Sequence, residues 1–201
     1  MYKLYGSPTS RAARIMWALE ELGQPYEIVK AKAHSPEVLA VSAIGKVPVL
    51  TDGDFAVTDS MAIMLYLADK HGALTFPVGS QERARMMALI FFALDEIEGA
   101  LWTLGKHAFK MLPEGVLCAE AIKPSCVYEF ERAMKTLETL LGDGPFVMGE
   151  TFTVADILLG HLGGWAKAMG MPTPPEKVAA YMERIRARPG WQAVAKARAA
   201  A

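Results

Sequence analysis

The stretch Gly45-Lys46-Val47-Pro48-Val49-Leu50-Thr51-Asp52-Gly53-Asp54-Phe55-Ala56-Val57-Thr58-Asp59-Ser60 holds the residues best suited to binding a ligand. Pro48 falls inside an otherwise strand-like run. Proline has no N–H for a sheet ladder and belongs at a strand start, an edge or a bulge. The spacing therefore predicts a strand beginning at Pro48. Asp52-Gly53 supplies a hairpin turn, and Phe55 to Val57 returns along it. Thr58-Asp59-Ser60 can then cap a helix over Met61 to Lys70. A proline-kinked backbone beside a helix N-terminus presents free main-chain donors, which suits a peptide-like anionic ligand. Ser7, Thr9 and Ser10 form a second polar group, in the loop just ahead of a helical run. Hydroxyls there can donate to an anion, and they can equally cap the helix.

These residues need a frame. Tyr2 to Tyr5 reads as a strand. From Arg11 the period turns helical, with Ala12, Ile15, Met16, Leu19 and Leu22 on one stripe and Gly23 and Pro25 ending it. Tyr26 to Val29 is a second strand, and Ser35-Pro36-Glu37 opens a short helix with a capping hydroxyl. Two strands joined through a helix predict a parallel right-handed unit. The hairpin adds antiparallel neighbours, so the sheet is mixed. Leu74 to Ser80, with Pro77 and Gly79, reads as a linker.

Beyond the linker the strand signals nearly vanish. Gln81 to Leu104 reads as one long helix, apolar most of the way round at 86–94, as if to face its own domain and a partner. Lys123 to Leu141 is another helix. Phe152-Thr153-Val154-Ala155-Asp156-Ile157 is a helix start with a capping box and a hydrophobic staple. Asp156 is therefore a structural cap rather than a catalytic acid, and its loss should cost roughly 1 kcal/mol. Helices over Glu176 to Ala187 and Gly190 to Ala199 close the chain. The fold class is α/β plus all-α: a domain over 1–75 with a mixed sheet, then a helical-bundle domain over 81–201.

Composition narrows the function. The 201 residues are 52% apolar and 21% charged, with 21 basic and 22 acidic side chains. No global field recruits nucleic acid or an anionic membrane. Arg184, Arg186, Arg188, Lys196 and Arg198 are spaced among alanines and read as a solvated helix face. No apolar run approaches the roughly 20 residues that span a bilayer. Cys118 and Cys126 cannot form a disulfide framework, and a cytoplasmic setting is expected. His71, His107 and His161 lack metal-ligand spacing, so no metal is expected.

Four segments, in this order and spacing, resemble the cytosolic-type glutathione transferases with a serine-type, bacterial-like active site. They are Leu4-Tyr5-Gly6-Ser7-Pro8-Thr9-Ser10 with Ala18 to Glu27, His34-Ser35-Pro36-Glu37 with Gly45 to Leu50, Asp59-Ser60-Met61-Ala62-Ile63, and Phe152 to Asp156. The resemblance covers the whole chain. It implies a thioredoxin-like N-terminal domain with a four-stranded sheet, a homodimer, and glutathione as co-substrate. It implies a cis Val47–Pro48 bond, with the Val47 N–H and C=O pairing to the cysteinyl residue. Ser60 is then matched to the γ-glutamyl carboxylate, Asp59 to its ammonium, and His34 and Lys46 to the glycyl carboxylate.

A free cysteinyl thiol titrates near 8.5, and lowering that by about two units stabilises thiolate by roughly 2.7 kcal/mol. A hydroxyl donor plus a helix N-terminus supplies such an effect. Ser10 matches the family's serine position, with Thr9 and Ser7 as alternatives. The loop holds no cysteine, which points away from disulfide exchange through an enzyme thiol. The expected function is attack of the thiolate on a hydrophobic electrophile, a detoxifying transfer of alkyl or aryl groups. The electrophile is expected in an apolar cleft between the domains, with Trp102, Phe109, Met111 and Trp165 as candidate lining. A non-catalytic ligand-binding protein and a glutathione-dependent peroxidase are the alternatives.

Overall fold

The structure, a computed structural model, describes residues 1–108 and 112–200. Contacts divide the chain into two compact units: Met1–Val78 with Arg186–Ala201, and Gly79–Ile185.

The first unit opens with β1 (Tyr2–Gly6), α1 (Ala12–Glu21), β2 (Tyr26–Lys30), α2 (Pro36–Leu39), β3 (Val49–Asp52), β4 (Phe55–Thr58) and α3 (Ser60–His71). The strands form one four-stranded sheet in the order β2-β1-β3-β4. β1 and β2 run parallel, with Leu4 opposite Ile28. β3 is antiparallel to both β1 and β4, placing Leu50 opposite Leu4 and Val57. The sheet is mixed as expected. β3 starts at Val49 rather than Pro48, whose ring nitrogen has no proton for the ladder. Ser35 precedes α2 with extended backbone, but its side chain makes no capping bond, against expectation.

α1 packs on α3 and against β1. Every residue from Ala12 to Leu19 is buried, so the helix is covered on more sides than its apolar stripe suggests. The extra cover is α9 (Pro189–Ala199), which packs along α1. The rings of Trp17 and Trp191 lie 4.9 Å apart. Glu21 accepts from Arg188 through both carboxylate oxygens, at 3.0 and 2.6 Å, and from Trp17 Nε1 at 3.0 Å. The guanidinium of Arg186 lies 4.7 Å over the Trp191 ring. By these contacts the described residues 186–200 group with the first unit, although the helical domain was expected over 81–201. Arg186 and Arg188 also bind this interface instead of forming a purely solvated face.

Among its described residues the regular elements of the second unit are helices, with two isolated antiparallel bridges, Phe146 to Gly149 and Met148 to Thr151. α4 (Gln81–Phe92) runs through a π-helical segment (Ala93–Glu98) into α5 (Gly99–Ala108), so the expected single helix forms with one widened turn. α6 (Lys123–Leu140) packs against α5, and α7 (Val154–Ala168) against α4. α7 begins with the expected capping box of Thr153 and Asp156. α8 (Glu176–Arg186) seats Met182 on α7, where a Cβ on Gly163 would lie 2.4 Å from its sulfur. No described helix is long and apolar enough to cross a membrane.

Candidate functional site

The loop between β1 and α1 is shaped around Gly6. Its φ of +143° is a backbone conformation that side chains rarely adopt. A Cβ there would lie 2.8 Å from Ala12 Cβ, 3.4 Å from Ser10 Oγ and 3.7 Å from Val47 Cβ. Glycine thus lets the hydroxyl loop, the start of α1 and the segment before Pro48 meet at one point.

The three hydroxyls divide into two groups. Ser10 Oγ donates to Ser7 C=O at 2.8 Å and accepts from the N–H groups of Ala12 at 3.1 Å and Ser7 at 3.3 Å. Its single proton is committed to the loop, and its oxygen takes one of the unpaired donors at the start of α1. Ser7 Oγ and Thr9 Oγ1 face each other at 2.9 Å. One of those hydroxyls must donate to the other, which leaves the pair one proton for a third group.

The Val47–Pro48 peptide bond is cis. None of the backbone hydrogen bonds that tie the described loops involves Val47. Pro48 C=O accepts from the Thr58 hydroxyl at 3.3 Å. Lys46 is exposed beside it. His34, also exposed, has φ 62° and donates its N–H to Gly45 C=O at 2.6 Å. Gly45 has φ 69°, and a Cβ on it would lie 2.4 Å from the His34 ring nitrogen Nδ1. His34 is thereby held against the backbone next to Lys46, which brings the two cationic candidates to one loop.

The start of α3 is held by Asp59, which has φ 74°. Its Oδ1 accepts from Met61 N–H at 2.8 Å and Ala62 N–H at 3.1 Å, which leaves Oδ2 for another donor. Ser60, at the first turn, is buried. Its Oγ accepts from Nη1 of Arg14 at 3.0 Å. Arg14 is wholly buried in α1 and has further partners. It is the site-region residue that sequence reasoning missed. Its signal was a lone cation in the middle of an apolar helix, a position that requires a buried partner.

Trp102 and Trp165, expected to line the electrophile cleft, lie in the second unit. They meet edge to face with ring centres 6.1 Å apart. Phe109 and Met111 lie outside the described residues. Cys126 is buried, which pushes its thiol pKa up, and Cys118 is half-buried. His71 bonds the Tyr2 hydroxyl at 2.8 Å, and His107 Nδ1 accepts from Ala119 N–H at 3.4 Å. No group of three or more His, Cys, Asp or Glu among the described residues could hold a metal ion.

Two family models match the chain: the glutathione S-transferase N-terminal domain over residues 4–75 and the C-terminal domain over 120–184. The chain belongs to the glutathione S-transferase family, and its first unit is thioredoxin-like. It is 33% identical to the human glutathione S-transferase theta-2B over 141 residues, covering 66% of this chain and 55% of that protein. The chain thus spans about half the length of that relative. It is 28% identical to the Escherichia coli K12 disulfide-bond oxidoreductase YfcG, covering 98% and 96% of the two chains. A glutathione transferase family member from Pseudomonas fluorescens Pf-5, solved with two glutathione bound, superposes with a TM-score of 0.78 at 28% identity, covering 96% of this chain and 91% of that one.

Proposed function

We propose that this protein is a glutathione transferase that ionises the glutathione thiol for attack on a hydrophobic electrophile. The observation that carries the reading is the meeting at Gly6 of the hydroxyl loop, the N-terminus of α1 and Val47. A cysteinyl residue paired antiparallel with the Val47 backbone has its sulfur directed toward the loop and the helix dipole. The γ-glutamyl carboxylate takes the Ser60 N–H and hydroxyl, and its ammonium takes the open oxygen of Asp59. The glycyl carboxylate takes Lys46 and His34. The family and the glutathione-bound relative support this ligand, and the reaction is then thiolate formation and proximity. The protein works as a homodimer in the cytoplasm under this reading, without a metal.

The thiolate's donor comes from the Ser7–Thr9 pair. Ser10, the residue the family pattern favours, can donate to sulfur only by releasing Ser7 C=O. The test is the apparent thiol pKa of bound glutathione, with conjugation of a generic aryl halide as rate. The Ser7→Ala/Thr9→Val double variant should raise the pKa and cut the rate about ten-fold or more, the loss of one hydrogen bond to a charged group, while each single variant keeps one hydroxyl proton and should lose less. A Ser10→Ala enzyme that alone loses the thiolate returns the role to Ser10.

The likeness to YfcG favours a second reading, glutathione-dependent reduction of a disulfide or peroxide. The loop contains no cysteine, so two glutathione molecules must supply both electrons and leave as oxidised glutathione. Accumulation of oxidised glutathione with a hydroperoxide, and no thioether with any aryl or alkyl halide, favours that reading.

A further inference from the structure

Arg14 lies in α1, away from the loop and segment that the sequence motif marks, yet one of its bonds reaches the start of α3. We propose that Arg14 is a positioning residue for the γ-glutamyl carboxylate, acting by fixing the direction of the Ser60 hydroxyl. The inference rests on the functional reading above. A guanidinium is donor-only, so its contact with Ser60 Oγ occupies a lone pair and forces the Ser60 proton to point elsewhere. Among the described residues this is the hydrogen bond that Ser60 Oγ makes. Both partners are buried, Arg14 at 0% and Ser60 at 4% exposure, so water competes little for either. The Ser60 N–H lies in the first turn of α3, where the helix leaves its donors unpaired. Asp59 Oδ1 takes the next two N–H groups and leaves that of Ser60. N–H and O–H of one residue are then both presented to an anion, with a buried cation behind the hydroxyl. A serine without Arg14 would rotate among its staggered positions and lose that alignment. The guanidinium also polarises the O–H it contacts, strengthening the bond to a carboxylate.

Calorimetry with glutathione and with 4-aminobutanoyl-Cys-Gly, which lacks only the α-carboxylate, tests the inference. The wild type should prefer glutathione about ten-fold or more, one hydrogen bond to a charged group. Ser60→Ala and Arg14→Met should each erase most of that preference while affinity for the analogue holds. The double variant should lose no more than either single one, because the two residues act as one unit. Ser60→Thr should retain the preference. Where Arg14→Met fails to fold, Arg14→Lys carries the comparison, since an ammonium does not reproduce the guanidinium geometry. Arg14 variants that weaken both ligands equally, or that keep the preference, overturn the inference. So does a double variant whose losses multiply. Equal binding of both ligands by the wild type overturns it and leaves glutathione binding intact. A wild type that binds neither overturns the functional reading as well.

Discussion

Four donors converge on the carboxylate of Asp156: Val147 N–H at 2.9 Å, Thr153 N–H at 2.8 Å, the Thr153 hydroxyl at 3.2 Å and the Tyr181 hydroxyl at 2.8 Å. All are buried, and burial pushes the Asp156 pKa up despite the donors. Removing the side chain strands several donors at once. Asp156→Ala should therefore cost about 3 kcal/mol rather than the 1 kcal/mol of a helix cap. Thr153→Ala, which leaves the carboxylate held by the Val147 N–H, the residue-153 N–H and the Tyr181 hydroxyl, should stay near 1 kcal/mol. Urea denaturation of the two variants checks the ratio, and equal losses would mean that only the cap matters. The capping box was legible because its halves lie three residues apart. The Tyr181 contact was not, because it joins residues 25 apart and nothing local encodes it. Asp52 makes the opposite electrostatic case. Lys70 first and Tyr66 second hold its pKa below the usual carboxylate value. A carboxylate of this kind adds stability above its unfolded pKa of about 4 and loses it as pH falls through the lower folded value. The stability difference between wild type and Asp52→Asn should thus be flat above about pH 5 and close in acid. The pair is exposed, so the difference is small. A difference that widens in acid contradicts the assignment.

Elements that a periodic pattern marks came through well, because burial of one face imposes that pattern. Each strand and each long helix lies within a few residues of its expected span. What periodicity leaves out is the surface against which a face is buried. The stripe Gly190, Trp191 and Val194 of α9 announces a buried side, but only the fold brings it to α1. The site shows the same limit. Val47, Pro48, Asp59 and Ser60 lie on one continuous stretch and could be read together, while Arg14 reaches Ser60 across 46 residues of chain. The α9 contact gives a direct test. Trp191 is 4% exposed and stacked on Trp17, so Trp191→Ala removes a large buried ring. The expected loss is about 3 to 5 kcal/mol. Arg188→Ala should cost less, since Glu21 keeps its bond from Trp17. Hydrogen exchange should locate the weakening in α1 and β1. Exchange that instead rises only in 79–185 would place α9 with the helical unit.

At the scale of the whole molecule, α4 carries the argument for a second copy. Met86, Ile90 and Ala93 are buried, and their spacing defines the face turned to the helix's own unit. Ala84, Ala88 and Phe91 form a different face at helical spacing, and all three are exposed. Phe91 is 60% exposed, while Tyr128 on α6 is 66% exposed. Small residues around one large aromatic allow close approach of another helix, and burying that ring supplies apolar area. The near balance of charge, net −1, adds little long-range repulsion between like chains. Sedimentation equilibrium should therefore report a homodimer. Phe91→Glu places a charge where a partner would desolvate it, and should shift the protein toward monomer by about ten-fold or more in dissociation constant. Ala88→Trp should do the same by steric exclusion, without adding charge. Both variants should keep their helix content and their affinity for glutathione, because the residues proposed for that ligand lie in the first unit. A wild type that sediments as a monomer at all concentrations removes the homodimer from the reading. A dimer indifferent to both substitutions moves the contact to another face.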